Sequence, residues 1–197
     1  AFSSDGTTLL SGSEDTRVIL WNTETRNIIY TLAEHSDAVT GVALSPDASL
    51  GVSSSEDTSL ILWDLTPGRL LRRLLGHNGR VYGVAFGPDG RTVASGADDQ
   101  AMILWETQQG ELVQRLTGHT DWVNDAVFSP DGTQALTGSS DNTIRLWDLA
   151  TGETIRIFEG HSAPIWAVEF SPDGQHAISG SDDTFVQQKA GQTSCRA

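Results

Sequence analysis

The chain has 197 residues, 38% of them hydrophobic, and a formal net charge of −14. This charge favours solubility and disfavours binding to the phosphate backbone of nucleic acids. No apolar run approaches the roughly 18 residues of a membrane-spanning helix, and Cys195, the single cysteine, cannot form an internal disulfide.

A repeat of constant length organises the sequence. Tryptophan falls at 21, 63, 105 and 147, and histidine at 35, 77, 119 and 161, so each step is 42 residues. Aspartate falls at 15, 57, 99, 141 and 183 with the same step. Short strand-like runs separated by turns fill each repeat. A period of about 40–45 residues with Gly-His and Trp-Asp pairs is typical of β-propellers that have one blade per repeat.

At these residues the chain resembles the WD-repeat family of β-propellers, the kin of the G-protein β subunit. The resemblance covers residues 1–186 and implies an all-β fold of four-stranded antiparallel blades, whose strands we call a to d in chain order. The blades begin at residues 1, 36, 78, 120 and 162. Residues 187–197 are polar and aperiodic, and we expect a disordered or loosely attached tail there.

The predicted strands follow in chain order. Blade 1 has b at Thr7–Gly12, c at Arg17–Trp21 and d at Asn27–Leu32. In blade 2, strands a to d are Val39–Leu44, Ser49–Ser54, Ser59–Trp63 and Leu70–Leu75. In blade 3 they are Val81–Phe86, Arg91–Gly96, Ala101–Trp105 and Glu111–Leu116. In blade 4 they are Trp122–Phe128, Thr133–Gly138, Thr143–Trp147 and Glu153–Phe158. Blade 5 has a at Ile165–Phe170, b at Gln175–Gly180 and the start of c.

Two local patterns predict backbone detail. The apolar residues Val39, Val42 and Leu44 are spaced by three and then two, which indicates a β-bulge in strand a. The a–b turns carry Pro-Asp-Gly, in which glycine supplies a positive φ, but Ala48 replaces that glycine in blade 2. We therefore expect Ala48 to adopt a positive φ.

Three full blades flanked by two incomplete ones predict an open arc of about four to five blades. The alternative is a closed ring of five blades. In an open arc, the exposed edges in blades 1 and 5 would favour self-association.

Blades 2 to 4 are each predicted to hold a hydrogen-bonded set of Trp, Ser or Thr, His and Asp, while blade 1 lacks the histidine and blade 5 the tryptophan. Antiparallel strands put the d–a and b–c loops at the same end of a blade, so histidine and aspartate meet there. The resemblance implies a structural tetrad at these positions: His35, Ser53, Asp57, Trp63; His77, Ser95, Asp99, Trp105; His119, Thr137, Asp141, Trp147; and, without tryptophan, His161, Ser179, Asp183.

Serine, histidine and aspartate together also suit a hydrolase, which is one alternative function. A repeating set with a threonine in one copy favours a structural role, because a nucleophile needs one open and privileged copy. The histidines lie a whole blade apart without second ligands at short spacing, so no metal site or cofactor is predicted. A nucleic-acid-binding propeller is the other alternative, and the net charge argues against it.

The resemblance implies a non-catalytic scaffold for protein or peptide partners. We expect a cytoplasmic location, and the net charge and the lack of a long apolar run predict no nucleic-acid or membrane partner. Such repeats often sit beside a kinase or ATPase domain in bacterial signalling proteins. In this family, partners commonly dock on the end of the ring that carries the d–a and b–c loops. Residues there that differ between repeats are the candidate partner-binding positions: Thr40, Glu56, Arg80, Tyr82, Asp98, Trp122, Asn124, Trp166 and Asp182. Trp122 and Trp166 are either exposed anchors or core residues between blades.

Overall fold

The structure, a computed structural model, describes residues 1–183 and the backbone of 186–190. In this part of the chain, eighteen strands form five antiparallel sheets in sequence order. Among the described residues there is no helix long and apolar enough to cross a membrane. The secondary structure of this part of the chain consists of strands and turns.

Each sheet corresponds to one predicted blade. The first contains β1 (Thr8–Gly12), β2 (Val18–Asn22) and β3 (Ile28–Leu32). The second contains β4 (Val39–Leu44), β5 (Leu50–Ser55), β6 (Ser59–Asp64) and β7 (Arg69–Leu75). The third contains β8 (Val81–Phe86), β9 (Thr92–Ala97), β10 (Ala101–Glu106) and β11 (Leu112–Thr117). The fourth contains β12 (Val123–Phe128), β13 (Gln134–Ser139), β14 (Ile144–Asp148) and β15 (Thr154–Phe158). The fifth contains β16 (Ile165–Phe170), β17 (His176–Ser181) and β18 (Val186–Ala190).

The structure differs from the sequence prediction at the end of blade 5. Strand β18 pairs with β17 through Ala190, so residues 187–190 continue the sheet instead of starting the non-repeat tail. Polar side chains do not prevent this pairing, because ladder hydrogen bonds join main-chain groups and edge strands accept lysine and other polar residues. The rest of the predicted tail, residues 191–197, lies outside the described residues.

The predicted bulge is present in every a strand. The register between β4 and β5 shifts between Val39 and Gly41, and the corresponding shifts occur in β8, β12 and β16. One extra residue turns the start of each a strand and strengthens its local twist. The a strands of neighbouring blades lie side by side, so this turn is repeated around the inner edge of the arc.

Neighbouring blades share continuous apolar cores. Leu136 of blade 4 packs with Ile165 and Val168 of blade 5. Gly138 approaches blade 5 so closely that a Cβ at this position would lie 2.8 Å from the Ile165 Cγ2 atom. A side chain at 138 would therefore push the two sheets apart.

The same face of blade 5 is uncovered in the described part of the chain. Ile178 is 45% exposed, whereas its counterpart Leu136 in blade 4 is 1% exposed. No heavy atom lies within 4 Å of the position that a Cβ on Gly180 would occupy, in contrast to Gly138. The described chain is therefore an incomplete propeller that is open at blade 5. Whether open blades self-associate stays a prediction.

Ala48 has the predicted positive φ, at 55°. The glycines that occupy the same turn position in the other blades have φ between 68° and 72°. The turn keeps its conformation because Ala48 N–H still donates to the Ser45 carbonyl at 2.8 Å, as Gly132 N–H donates to Ser129. The sheet pairing thus imposes a left-handed backbone on a residue with a side chain.

Replacing Ala48 with glycine should stabilise the chain by up to about 1 kcal/mol, because glycine adopts this φ without steric strain. Thermal unfolding measures the effect. Gly6→Ala is the matched control, since Gly6 has φ 72° and a Cβ added there would meet no atom within 4 Å, so its cost is purely conformational. The control should lose about as much stability as Ala48→Gly gains. A destabilised Ala48→Gly variant would contradict the strain argument.

Candidate functional site

The d–a and b–c loops bring four side chains of each full blade together. In blade 2, His35 comes from the d–a loop, Ser53 from β5, Trp63 from β6 and Asp57 from the b–c turn. The b–c turn is tight because the residue after the aspartate is left-handed, as Thr58 is at φ 70°. The turn therefore points the aspartate back towards the histidine.

The blade 2 tetrad is a continuous hydrogen-bonded chain. The Trp63 indole N–H donates to Ser53 Oγ at 2.9 Å. Ser53 Oγ lies 2.8 Å from His35 Nε2, and His35 Nδ1 lies 2.9 Å from Asp57 Oδ2. The ionised carboxylate can only accept, so His35 Nδ1 carries the proton and Nε2 accepts from the serine hydroxyl. Every polar atom in the chain has a partner, which its burial requires.

The same bonds recur in the other blades. The distances from the histidine Nδ1 to the aspartate are 3.0 Å for His77–Asp99, 2.8 Å for His119–Asp141 and 2.8 Å for His161–Asp183. The histidine Nε2 atoms lie 2.7–2.8 Å from Ser95 Oγ, Thr137 Oγ1 and Ser179 Oγ. Trp105 and Trp147 donate to Ser95 and Thr137 at 2.9 and 2.8 Å. In blade 1, Trp21 donates to Ser11 at 2.8 Å without a histidine.

The hydrogen bonds link serine, histidine and aspartate in the order of a catalytic triad. Unlike a catalytic serine, however, these hydroxyls are not accessible to a substrate. Ser53, Ser95 and Thr137 are 0% exposed, and each hydroxyl oxygen already accepts an indole N–H. A nucleophile must reach the substrate carbonyl beside a group that stabilises the oxyanion. These hydroxyls are sealed inside the blades, so the geometry suits a structural bond and not acyl transfer.

The tetrad environment sets the charge of its members. Burial raises the pKa of Asp57, but the Ser59 hydroxyl, the Ser36 N–H and His35 outweigh burial and hold that pKa far below its ordinary value. Burial also lowers the pKa of His35, against the opposing effect of Asp57. At neutral pH the contact is therefore a hydrogen bond between a neutral imidazole and a carboxylate, not an ion pair.

Two arginines extend the tetrads, and the sequence interpretation missed them. Arg115 on β11 donates to Asp99 Oδ2 at 2.7 Å, and Arg73 on β7 lies 3.4 Å from Asp57 Oδ2. Arg73 also donates to Ser59 Oγ at 2.8 Å. The Arg73 guanidinium therefore bonds the tetrad from the outer strand.

The candidate recognition positions are held in pairs by backbone hydrogen bonds. The residue before each tetrad aspartate donates its N–H to the residue three positions after the histidine. The pairs are Glu56 to Ala38 at 3.0 Å, Asp98 to Arg80 at 3.0 Å, Ser140 to Trp122 at 2.9 Å and Asp182 to Pro164 at 3.1 Å. In each of blades 2 to 5, one main-chain hydrogen bond therefore fixes the positions of two residues whose side chains vary between repeats.

The aromatic candidates are exposed. Trp122 is 43% exposed and Trp166 is 48% exposed, although both are large and apolar. Trp122 of blade 4 stacks on Tyr82 of blade 3, with ring centroids 5.8 Å apart and planes at 26°. The two blades thus share one aromatic surface at the loop end, and Trp166 lies on the next blade.

The polar candidates fall into two groups. Arg80 bonds Glu56 of the neighbouring blade at 3.3 Å, and the Asp98 N–H donates to the Arg80 carbonyl. Asp182 makes the equivalent backbone bond to Pro164 in blade 5. Asn124, by contrast, is 5% exposed, and its amide donates to Ser140 Oγ and to the Ile165 carbonyl of blade 5. Thr40 makes the equivalent bond to the Val81 carbonyl. Thr40 and Asn124 therefore both join blades. Burial limits the access of Asn124 to a partner, whereas Thr40 remains exposed.

A cavity of about 580 Å³ lies at the inner edge of the blades, next to this surface. Three carboxylates line it: Glu14, Glu56 and Asp125. Tyr82 and Trp166 form the aromatic part of its wall, and none of the described lining residues is basic. Burial raises the pKa of Asp125, whose carboxylate accepts the Val168 N–H at 3.0 Å. The cavity therefore concentrates acceptor oxygens beside aromatic surface.

The structure brings together no group of three or more His, Cys, Asp or Glu side chains that could hold a metal, within residues 1–183. Comparison with curated proteins found no match. The family model described as "WD domain, G-beta repeat" matches residues 1–22, 26–64, 68–106, 110–148 and 152–187. After the first, each match begins with the d strand of one sheet, continues through strands a to c of the next, and contains one tetrad, so the chain belongs to the WD40 repeat family of β-propeller proteins.

Proposed function

We propose that this chain is a scaffold that binds a protein or peptide partner on the face formed by its d–a and b–c loops. WD40 repeats generally mediate protein–protein interactions and are typically not enzymes. The observation that carries the proposal is the stack of exposed Trp122 on half-buried Tyr82, beside the cavity lined by carboxylates. Exposed aromatic surface in a folded protein marks interaction sites, and Trp and Tyr are enriched among binding hot spots.

The chemistry of this face favours a basic and apolar partner segment. The stack and Trp166 offer apolar area, and the cavity next to them carries Glu14, Glu56 and Asp125. Arg80 neutralises part of the charge on Glu56, which leaves the other two carboxylates without a basic neighbour in the described cavity lining. A segment with lysine or arginine beside an apolar residue complements both features. The same carboxylates would repel nucleic-acid phosphates, which disfavours the nucleic-acid alternative.

Removing the aromatic anchors should weaken partner binding by about 1–2 kcal/mol for each of Trp122→Ala and Trp166→Ala. The assay measures binding of immobilised peptides that carry Lys or Arg beside an apolar residue, against the same peptides with Glu in place of the basic residue. Ile155→Ala is the matched control, because Ile155 is 48% exposed on outer strand β15, away from the loop end. A melting curve accompanies each variant.

The outcomes separate the competing interpretations. Loss of binding in both tryptophan variants, with the control and the melting temperatures unchanged, supports the proposed face. Normal binding together with a melting temperature lowered by several degrees would mean that the tryptophans are core residues. Salt-sensitive binding to duplex DNA would favour the nucleic-acid alternative.

A further inference from the structure

The d–a loop of blade 3 contains the only Asn-Gly pair in the sequence, Asn78-Gly79. Serine or threonine occupies the position of Asn78 in the other d–a loops, at Ser36, Thr120 and Ser162. The Asn78 side chain is exposed, and its backbone N–H donates to Asp99 Oδ2 at 2.8 Å. Within the described residues, neither the Asn78 side-chain amide nor the Gly79 N–H makes a hydrogen bond. Both groups are therefore free to react.

An asparagine followed by glycine is chemically labile, because glycine has no Cβ to hinder attack by its nitrogen. The Gly79 nitrogen loses its proton and bonds to Cγ of Asn78, and the side-chain nitrogen leaves as ammonia. Water then opens the cyclic imide at either of its two carbonyls. The products are aspartate and isoaspartate, and the reaction needs only water and a base.

We propose that Asn78 is a site of spontaneous deamidation in the folded protein. The loop leaves the attacking nitrogen and the amide unbonded, and the side chain lies in solvent where water can open the imide. The hydrogen bond from the Asn78 N–H to Asp99 fixes the loop without involving the two atoms that react, the Gly79 nitrogen and Asn78 Cγ. Folding therefore does not protect this pair.

The glycine N–H groups of the four Asp-Gly pairs in the a–b turns are hydrogen-bonded, unlike that of Gly79. Asp-Gly forms the same imide when the glycine nitrogen is free and the carboxyl is protonated. In the a–b turns, each glycine N–H donates to a carbonyl at 2.8–2.9 Å, at Gly6, Gly90, Gly132 and Gly174. In blade 4 the Asp131 carboxylate also accepts from the Ser129 hydroxyl and the Thr133 N–H. These bonds keep the Asp131 pKa low and its carboxylate ionised, which makes it a poor site of attack.

Deamidation would place new charge beside two carboxylates. Asp98 lies so close to Gly79 that a Cβ at this glycine would be 1.5 Å from Asp98 Oδ1. Asp99, the tetrad aspartate, accepts the backbone N–H of residue 78 itself. Aspartate at 78 adds like-charge repulsion to both, and isoaspartate also lengthens the main chain next to His77. The product should therefore weaken the blade 3 tetrad and lower the melting temperature.

The test ages the folded chain at mildly alkaline pH and maps aspartate and isoaspartate by mass spectrometry at each site. We expect conversion at Asn78 to be several-fold faster than at Asn142, which precedes threonine, and than isoaspartate formation at Asp131. Asn78→Ser, which installs the residue of blades 2 and 5, should abolish the signal at this position and keep the melting temperature. Asn78→Asp should lower the melting temperature.

A parallel sample in denaturant separates the effect of folding from that of sequence. Unfolding should accelerate isoaspartate formation at Asp131 and leave conversion at Asn78 nearly unchanged. Asn78 that survives in the folded chain but deamidates when unfolded would overturn the proposal, because folding would then protect it. Equal rates at positions 78 and 131 in the folded chain would also overturn it.

Discussion

Replacing Trp105 with alanine should destabilise the fold by about 3–5 kcal/mol, the range for large aromatic residues removed from a core. Trp105 is 1% exposed and packs with Val52, Leu62 and Leu74 of the preceding blade. Its indole N–H is also the donor to Ser95 Oγ at 2.9 Å. The substitution therefore opens a cavity between two blades and removes one bond of the tetrad. Denaturant unfolding measures the loss.

Trp21→Ala is the matched control for this prediction. Trp21 occupies the same position in blade 1 and donates to Ser11 at 2.8 Å, but it is only half-buried and its set has no histidine. Its replacement should cost clearly less than that of Trp105. Equal losses would show that the repeated indole bond, and not the packing between blades, dominates the stability of these positions.

Asp99→Ala should destabilise the chain by about 1–3 kcal/mol, because buried donors lose their acceptor. Asp99 accepts from His77 Nδ1, the Asn78 N–H and Arg115. The contribution of Arg115 is partly screened, since this side chain is 30% exposed. Asp15→Ala is the control: Asp15 is exposed in blade 1 and has no histidine, so its loss should be small. A similar loss in both variants would contradict the role of the tetrad.

The effect of Asp99 should also depend on pH. Burial raises the pKa of Asp99, but hydrogen bonds from His77 and Asn78 outweigh it and hold the pKa well below its ordinary value. A carboxylate whose pKa is lower in the folded than in the unfolded chain stabilises the fold at pH values above the unfolded pKa of about 3.9. This contribution is lost as the pH falls through the folded pKa. The difference in unfolding free energy between wild type and Asp99→Ala should therefore shrink below about pH 4. A difference that grows on acidification would contradict this assignment.

Repetition made most of the fold predictable. Trp63, Trp105 and Trp147 recur at one spacing, so a single interpretation of one blade places the equivalent residues of the others. The bulge in strand a and the positive φ of Ala48 follow from the same comparison between copies. Both are local consequences of backbone geometry, which explains why spacing and residue type suffice to predict them.

Contacts that occur in only some blades were harder to predict. Arg73 and Arg115 stand 42 residues apart and bond their tetrads in the same way, but the equivalent residues in blades 1 and 4 are Thr31 and Ile157, so the repeat signal is carried by two blades alone. The stack of Tyr82 on Trp122 joins positions that are not equivalent in their blades, and only the placement of one sheet against the next brings them together.

Burial of Asn124 was also not predictable, because a polar side chain with four hydrogen-bonding sites is expected on the surface. Its NH2 group donates to the Ile165 carbonyl of the next blade, which compensates for burial of that group, whereas Asn124 Oδ1 is buried without a hydrogen-bond partner. The strand through Ala190 was missed for a related reason: main-chain pairing with β17 does not require the apolar alternation that marks the other strands.

The residues that vary between repeats at the loop end are paired by backbone hydrogen bonds, which do not depend on the side chains. The Asp98 N–H to Arg80 carbonyl bond and the Ser140 N–H to Trp122 carbonyl bond use main-chain atoms alone. Substitutions at these side chains leave the bond and the neighbouring tetrad intact. Mutation can therefore change the side chains of the proposed binding face blade by blade, while selection for folding acts on a separate set of residues.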